Sequence, residues 1–170
     1  MRLFITMLSA LLLAACASYS GSGLKPGEAQ LADVLRVMGD PTMQWQDPDG
    51  SRQLAYRRGY YTFMVDIGSN GKLQKIKNIM NMKTFSRIQP DMTKSQVIRI
   101  LGPSYPPGTA YFKARNELAL EWLYCDEWNQ KARFDVLFDN SKETVRSTLS
   151  LTDEQRGFCG TGSCPCGNAN

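Results

Sequence analysis

The 170-residue sequence contains no histidine. This absence excludes a Ser-His-Asp or Cys-His nucleophilic site, a histidine-ligated metal and a histidine pH switch. The other nucleophiles and acids show no catalytic spacing, so we expect a protein without enzymatic activity, cofactor or bound metal. The excess of positive over negative residues is also small, since the chain has 20 Lys and Arg residues and 16 Asp and Glu residues. The net charge of +4 gives no reason to expect nucleic acid as a partner.

An apolar run from residues 3 to 15 follows Arg2 and is too short to span a bilayer as a helix. A positive start, a short apolar segment and small residues before a cysteine are the parts of a secretory signal. Leu13-Ala14-Ala15-Cys16 resembles the lipobox of bacterial lipoproteins. The resemblance implies that residues 1–15 are a signal peptide and that Cys16 is acylated, palmitate being one of the acyl groups.

The residue after this cysteine indicates whether a lipoprotein is anchored in the inner or the outer membrane. Bacterial lipoproteins with Asp directly after the acylated cysteine tend to stay in the inner membrane, whereas this chain has Ala17. The resemblance therefore implies an anchor in the outer membrane, on its periplasmic face. Acyl chains contribute about 0.8 kcal/mol per buried methylene, so three of them make such an anchor effectively permanent. Residues 16–25 are expected to form a flexible tether, because Ser and Gly dominate them.

An internal repeat follows the tether. The segment 34–39, Val-Leu-Arg-Val-Met-Gly, matches the segment 97–102, Val-Ile-Arg-Ile-Leu-Gly, 63 residues downstream. Both carry apolar residues at helical spacing and end at a glycine with a proline one or two residues later. Thr93 and Gln96 give the second helix the spacing of a capping box. We expect a first repeat over residues 26–83 and a second over residues 84–151.

Each predicted helix is followed by strand patterns and turn signals. The predicted strands cover residues 53–57, 60–67 and 73–79 in the first repeat, and 118–125, 134–138 and 144–151 in the second. Short helices need packing to be stable, so we expect Val34, Leu35, Val97 and Leu101 to lie buried between helix and sheet. The sequence thus predicts an α+β fold of two tandem repeats, each with short helices on a three- to four-stranded antiparallel sheet.

The second repeat carries a family resemblance. The residues 88–93, Ile-Gln-Pro-Asp-Met-Thr, followed by Gln96-Val97 and Leu101-Gly102-Pro103, are similar to a motif of the SmpA/OmlA (BamE-like) family of outer-membrane lipoproteins. The family usually has glycine where this chain has Asp91. The resemblance implies a role in assembling β-barrel proteins of the outer membrane. Two fused copies resemble instead the tandem architecture of β-lactamase inhibitor proteins, in which two helix-plus-sheet units share one sheet.

The four remaining cysteines are candidates for disulfide bonds with one another. Cys125 lies on a predicted strand, and Cys159, Cys164 and Cys166 lie in a Cys- and Gly-rich tail over residues 152–170. An oxidising compartment favours two disulfides. A Cys164–Cys166 bond closes a very tight ring, which leaves Cys125 bonded to Cys164 or Cys166 and Cys159 to the other. A four-thiolate metal site and a redox pair are the alternatives, and both need reduced thiols.

Aromatic residues crowd the predicted strands, and both faces of residues 60–67 carry large side chains. Helices on one side of a sheet cover one face, so an uncovered aromatic face is a candidate interaction surface. We expect Tyr60 and Tyr124 to bind a partner there. A cover formed by the rest of the chain is the alternative.

Two charged segments complete the candidate sites. Asp47-Pro48-Asp49-Gly50 is interpreted as a hairpin turn rather than a cation site, because the later glutamate of a calcium loop is missing. A basic stretch is a candidate contact with acidic phospholipid beside the anchor. It comprises Lys72, Lys75, Lys77, Lys83 and Arg87.

The sequence as a whole favours an outer-membrane lipoprotein that acts as a binding or scaffold factor in envelope assembly, with the β-barrel assembly machinery as its expected partner. The alternative is an inhibitor-like protein-binding module with the same fold and no role in barrel assembly. A redox factor that uses the tail cysteines is the third interpretation.

Overall fold

A computed structural model describes residues 20–160 and 162–167. The predicted signal peptide, Cys16 and the start of the tether lie outside the described residues. The helices are α1 (Leu31–Met38), α2 (Met82–Phe85) and α3 (Lys94–Leu101). The strands of the first repeat are β1 (Met43–Gln46), β2 (Arg52–Arg58), β3 (Tyr61–Ile67) and β4 (Leu73–Asn78). Those of the second are β5 (Ala110–Phe112), β6 (Glu117–Cys125), β7 (Lys131–Asp139) and β8 (Thr144–Thr152).

The strands form two antiparallel four-stranded sheets, each with its strands in chain order. This confirms the predicted α+β fold and the two sheet-based repeats. The two sheets are separate, so each repeat has a sheet of its own, as predicted. The hairpins β3–β4 and β7–β8 lie where the alternating patterns predict them. The short elements α2, β1 and β5 were not predicted individually.

The two longer helices occupy equivalent positions. Val34 and Met38 of α1 are fully buried, as are Val97 and Leu101 of α3. Each pair is one helical turn apart, and the two pairs are separated by the 63-residue offset of the repeat. Leu35 was expected to be buried with them, but it is only half-buried, because it lies beside the buried stripe of the helix rather than within it; Ile98 at the equivalent position of α3 is half-buried as well.

The ends of these helices are held in the same way. Gly39 and Gly102 follow α1 and α3 with φ angles of 74° and 69°, a conformation that favours glycine. The carbonyl of Gly39 accepts a hydrogen bond from the Tyr56 hydroxyl at 3.2 Å. The carbonyl of Gly102 accepts one from Trp122 Nε1 at 3.1 Å. An aromatic residue of the following sheet therefore binds the end of each helix, which supports the duplication.

The first sheet is covered on both faces. Leu54, Val65 and their neighbours on one face pack against α1. Ala55 and Met64 on the opposite face belong to a core that contains α3 and the second sheet. The approach is close, since a Cβ atom on Gly102 would lie 3.3 Å from the Cβ of Ala55. The second repeat therefore covers the face of the first sheet for which no cover was predicted.

Leu101→Ala is expected to lower the free energy of unfolding by about 2–5 kcal/mol, because it leaves a cavity where α3 meets the core of the second sheet. Urea denaturation of the full chain measures this change. Leu149→Ala is the control, since Leu149 lies exposed on β8 and its truncation is expected to change the free energy by no more than about 0.5 kcal/mol. Equal effects of the two substitutions would contradict a core role for α3.

Candidate interaction surfaces

Tyr60 lies in the turn between β2 and β3 and connects the two repeats. Its hydroxyl donates a hydrogen bond to Asp153 Oδ2 at 2.8 Å, and Lys131 Nζ lies 5.6 Å from its ring centroid. Burial raises the pKa of Tyr60 to about 12, and the hydrogen bond to Asp153 adds to the shift. The ring is half-buried and its hydroxyl is hydrogen-bonded within the chain, so binding of a partner by Tyr60 stays a prediction.

Tyr124 was expected on the same surface, but it lies in the core and is only 5% exposed. Its ring packs edge-on against Phe85 of α2 at 4.9 Å between centroids, and its hydroxyl is hydrogen-bonded to Ser150. The prediction of Tyr124 as a partner-binding residue is therefore wrong for this structure. The error arises from α2, a four-residue helix that covers this part of the second sheet.

A buried charge network lies on the opposite face of the second sheet. We use this name for Glu121, Arg133, Asp135, Asp153 and Arg156. Arg133 donates to Glu121 at 2.7 Å and to Asp153 at 2.6 Å. Arg156 donates to Glu121 at 3.0 Å and also to Asp135. All three carboxylates are buried.

Cross-strand pairing explains why the network needs Arg156. Glu121 on β6 and Asp135 on β7 are directly opposite each other, and like charges in this arrangement repel. Arg156, which follows β8, binds both carboxylates and offsets that repulsion. Burial raises the pKa of Asp135, although the charge of Arg156 acts in the opposite direction. The sequence signal for this network is the presence of charged residues on one face of β6 and β7, beside the apolar residues of the other face.

The tail over the network is fastened by disulfides. Cys125 at the end of β6 is bonded to Cys166, and Cys159 is bonded to Cys164. This is one of the two pairings that the sequence left open. The four predicted cysteines therefore form two disulfides. Among residues 20–160 and 162–167, no group of three or more Cys, Asp or Glu side chains is arranged to hold a metal ion.

The charged turn after β1 is a hairpin turn, as predicted. Gly50 N–H donates to the carbonyl of Asp47 at 2.9 Å, and the Asp49 carboxylate accepts from the N–H of Ser51 at 2.9 Å. The Asp47 carboxylate is bound by Arg99 of α3 at 2.6 Å. Both acids therefore have partners within the chain. The ion pair of Asp47 with Arg99 joins the first repeat to the second.

A groove opens beside this turn, between β1 and α3. It has a volume of about 610 Å³. We call it the β1–α3 groove and define it by eight residues: Trp45, Gln46, Asp47, Met92, Ser95, Gln96, Arg99 and Ile100. The guanidinium of Arg99 lies 5.2 Å from the centroid of the Trp45 ring, so Arg99 contacts both Asp47 and Trp45. Local sequence patterns do not predict this groove, because its walls come from two repeats.

Basic and aromatic residues mark two further surfaces. Lys75 and Lys77 of β4 are exposed and line a smaller cleft of about 300 Å³ together with Arg87 and Arg99. A contact of the basic stretch with acidic headgroups stays a prediction. The most exposed large apolar side chain of the described residues is Trp128, at 78%. Tyr111, Phe112 and Phe158 are exposed as well.

Comparisons with family models, with curated proteins and with solved structures gave no match to this chain. Within the described part of the chain, no helix has both the length and the apolar character that a membrane span requires. Functional conclusions therefore depend on the residues and geometry described above.

Arg156→Met is expected to destabilise the fold by about 3–5 kcal/mol at neutral pH, because Glu121 and Asp135 then lie buried without this partner. The loss is expected to be smaller near pH 4. Removing the guanidinium raises the already raised pKa of Asp135 further. The cost of burying the charged Asp135 carboxylate therefore falls as the pH falls, and it is absent once the carboxyl is protonated in both the folded and the unfolded state. Urea denaturation at the two pH values measures the difference.

Arg115→Met is the matched control for this substitution. Arg115 is largely exposed, and its partner Glu117 keeps Arg146 at 3.3 Å. We expect little change in stability and no comparable pH dependence. A loss for Arg156→Met that is equal at both pH values would contradict the role given to Asp135.

Proposed function

We propose that the protein is a non-catalytic binding or scaffold factor, anchored by acyl chains on Cys16 to the periplasmic face of the outer membrane, in the assembly of β-barrel outer-membrane proteins. The lipobox-like segment that ends at Cys16 supports the anchor. The absence of histidine and the repeat architecture support binding rather than catalysis.

One observation carries the family argument. Asp91 stands where the SmpA/OmlA family usually has glycine, and its φ angle is 66°. Glycine is favoured at such angles, whereas Asp and Asn are the other residues that adopt them most readily. A positive φ angle at this position is compatible with the glycine that the family usually has there, and this supports the resemblance.

The rest of the motif supports the same interpretation. The carbonyl of Met92 accepts a hydrogen bond from Val145 N–H at 2.8 Å, which fixes the turn to the start of β8. Thr93 and Gln96 form the capping box of α3. The motif residues thus join the second sheet to the helix on which the core depends.

The tandem architecture favours a second candidate function. The two repeats pack through α3 around one core, so residues of both repeats lie side by side at the surface, as in the β1–α3 groove. An inhibitor-like module that binds another envelope protein is consistent with this surface. Its partner then lies outside the barrel-assembly machinery.

Cys16→Ser is expected to abolish acylation and to release the chain from the membrane, because lipidation requires the thiol. Fractionation of the envelope and mass spectrometry of the N-terminal peptide measure both effects. Cys159→Ser is the control, since it removes a tail cysteine and leaves Cys16 in place. A Cys16→Ser product that still fractionates with outer membranes and carries no acyl chain would contradict the proposed anchor.

Affinity purification of the tagged full chain from detergent-solubilised, crosslinked envelopes is expected to recover subunits of the barrel-assembly machinery. The Cys16→Ser variant is expected to recover less, because it is not held at the membrane. Specific recovery of one other envelope protein, without these subunits, would favour the inhibitor-like alternative and contradict the assembly role.

A further inference from the structure

The outer edge of the first sheet is open at β1. In the sheet order β1-β2-β3-β4, β1 pairs with β2 and has no second neighbour among the described residues. Asp47 N–H donates to the carbonyl of Ser51, and the ladder alternates from there, so Trp45 and Met43 hydrogen-bond toward β2. Gln44 and Gln46 therefore direct their backbone N–H and C=O groups away from the sheet.

The other edge of the same sheet is protected at its start. Leu73 N–H of β4 donates to the carbonyl of Ala29 at 2.8 Å, and Gly27 N–H donates to the carbonyl of Leu73 at 2.8 Å. Sheet edges attract extended chains, and folded proteins usually cover or interrupt them. The chain itself therefore occupies the start of the β4 edge, whereas β1 has no such neighbour among the described residues.

The β1–α3 groove lies beside this open edge. Trp45 faces α3 across it, and Met92 and Ile100 supply further apolar surface. A strand paired with β1 would lie about 4.8 Å from it, over the groove, with every second side chain on the side that Trp45 occupies. The edge thus provides backbone hydrogen bonds, and the groove provides contacts for alternate side chains.

The charge of the groove indicates which peptides fit. Asp47 and Arg99 are its two charged residues, and they are bound to each other at 2.6 Å. The lining therefore has no net charge to attract an acidic or a basic segment. An uncharged peptide with apolar residues at every second position complements it best, and this alternation is also the pattern of outer-membrane β-strands.

We propose that the β1–α3 groove binds an extended polypeptide segment of alternating apolar and polar residues, which adds a strand to the edge of β1. The inference deepens the proposed function, on which its biological meaning rests, by naming the chemistry of the partner. The bound segment places its apolar side chains against Trp45, Met92 and Ile100.

Binding is measured with the full chain in detergent and a fluorescein-labelled eight-residue peptide that alternates valine and threonine, by fluorescence anisotropy. The comparison peptide has four valines followed by four threonines. We expect the alternating peptide to bind and the block peptide to bind at least about fivefold more weakly, because its apolar residues do not share one face. Equal affinities, or no binding of either peptide, would overturn the proposal.

Gln44→Pro tests the edge, since proline removes the outward N–H without taking a hydrogen bond from the ladder. It is expected to weaken binding about fivefold, the effect of one hydrogen bond. Gln44→Thr is the matched control, because it changes the same side chain and keeps the N–H. Equal affinities of the two variants would overturn pairing with β1.

Ser95→Trp tests the groove. Ser95 is exposed on α3 and lines the groove, so a tryptophan there is expected to fill it and remove detectable binding. Ala32→Trp is the control, because Ala32 is the exposed residue at the equivalent position of α1. Thermal melts of all variants verify folding, and Ser95→Trp decides the outcome if Gln44→Pro does not fold. Peptide binding without recovery of the barrel-assembly machinery would contradict the proposed function and leave this inference standing.

Discussion

The packing of α3 between the two sheets is the constraint on which the rest of the structure depends. An eight-residue helix is not stable alone, so its burial against both repeats is what maintains it. Its end approaches Ala55 of the first sheet, while the Gly102 carbonyl is bound by Trp122 of the second. The two repeats therefore share one core and are not independent units joined by a linker.

This arrangement makes the two repeats chemically unequal. The first sheet has α1 on one face, where Leu54 and Val65 are buried, and the core around α3 on the other, where Ala55 and Met64 are buried. The second sheet has α3 and α2 on one face and the disulfide-fastened tail on the other. The tail contributes the charged side chain of Arg156 to this face, where the first sheet has an apolar helix. The strands beneath the tail carry Glu121 and Asp135, which bind Arg156. The composition of each face thus follows from what covers it.

Local signals were sufficient to predict α1, α3 and the long hairpins. The Gly39 and Gly102 stops and the alternation in β3, β6 and β7 depend on neighbouring residues alone. The interaction surfaces were harder, because tertiary packing decides which face of a strand stays open. Tyr124 was placed wrongly since nothing near it in the sequence shows that Phe85 would cover it. The charge network likewise joins residues 35 positions apart, Glu121 and Arg156.

Duplication also changes which side of α3 is exposed. In a single repeat of this kind, the side of the helix that faces Ala55 and Met64 here would be exposed. In this chain the first repeat occupies that side, so the surface is no longer free. The same packing creates the β1–α3 groove, because Trp45 comes from one repeat and Ile100 from the other. The duplication therefore covers one side of α3 and forms the β1–α3 groove at the margin of the contact.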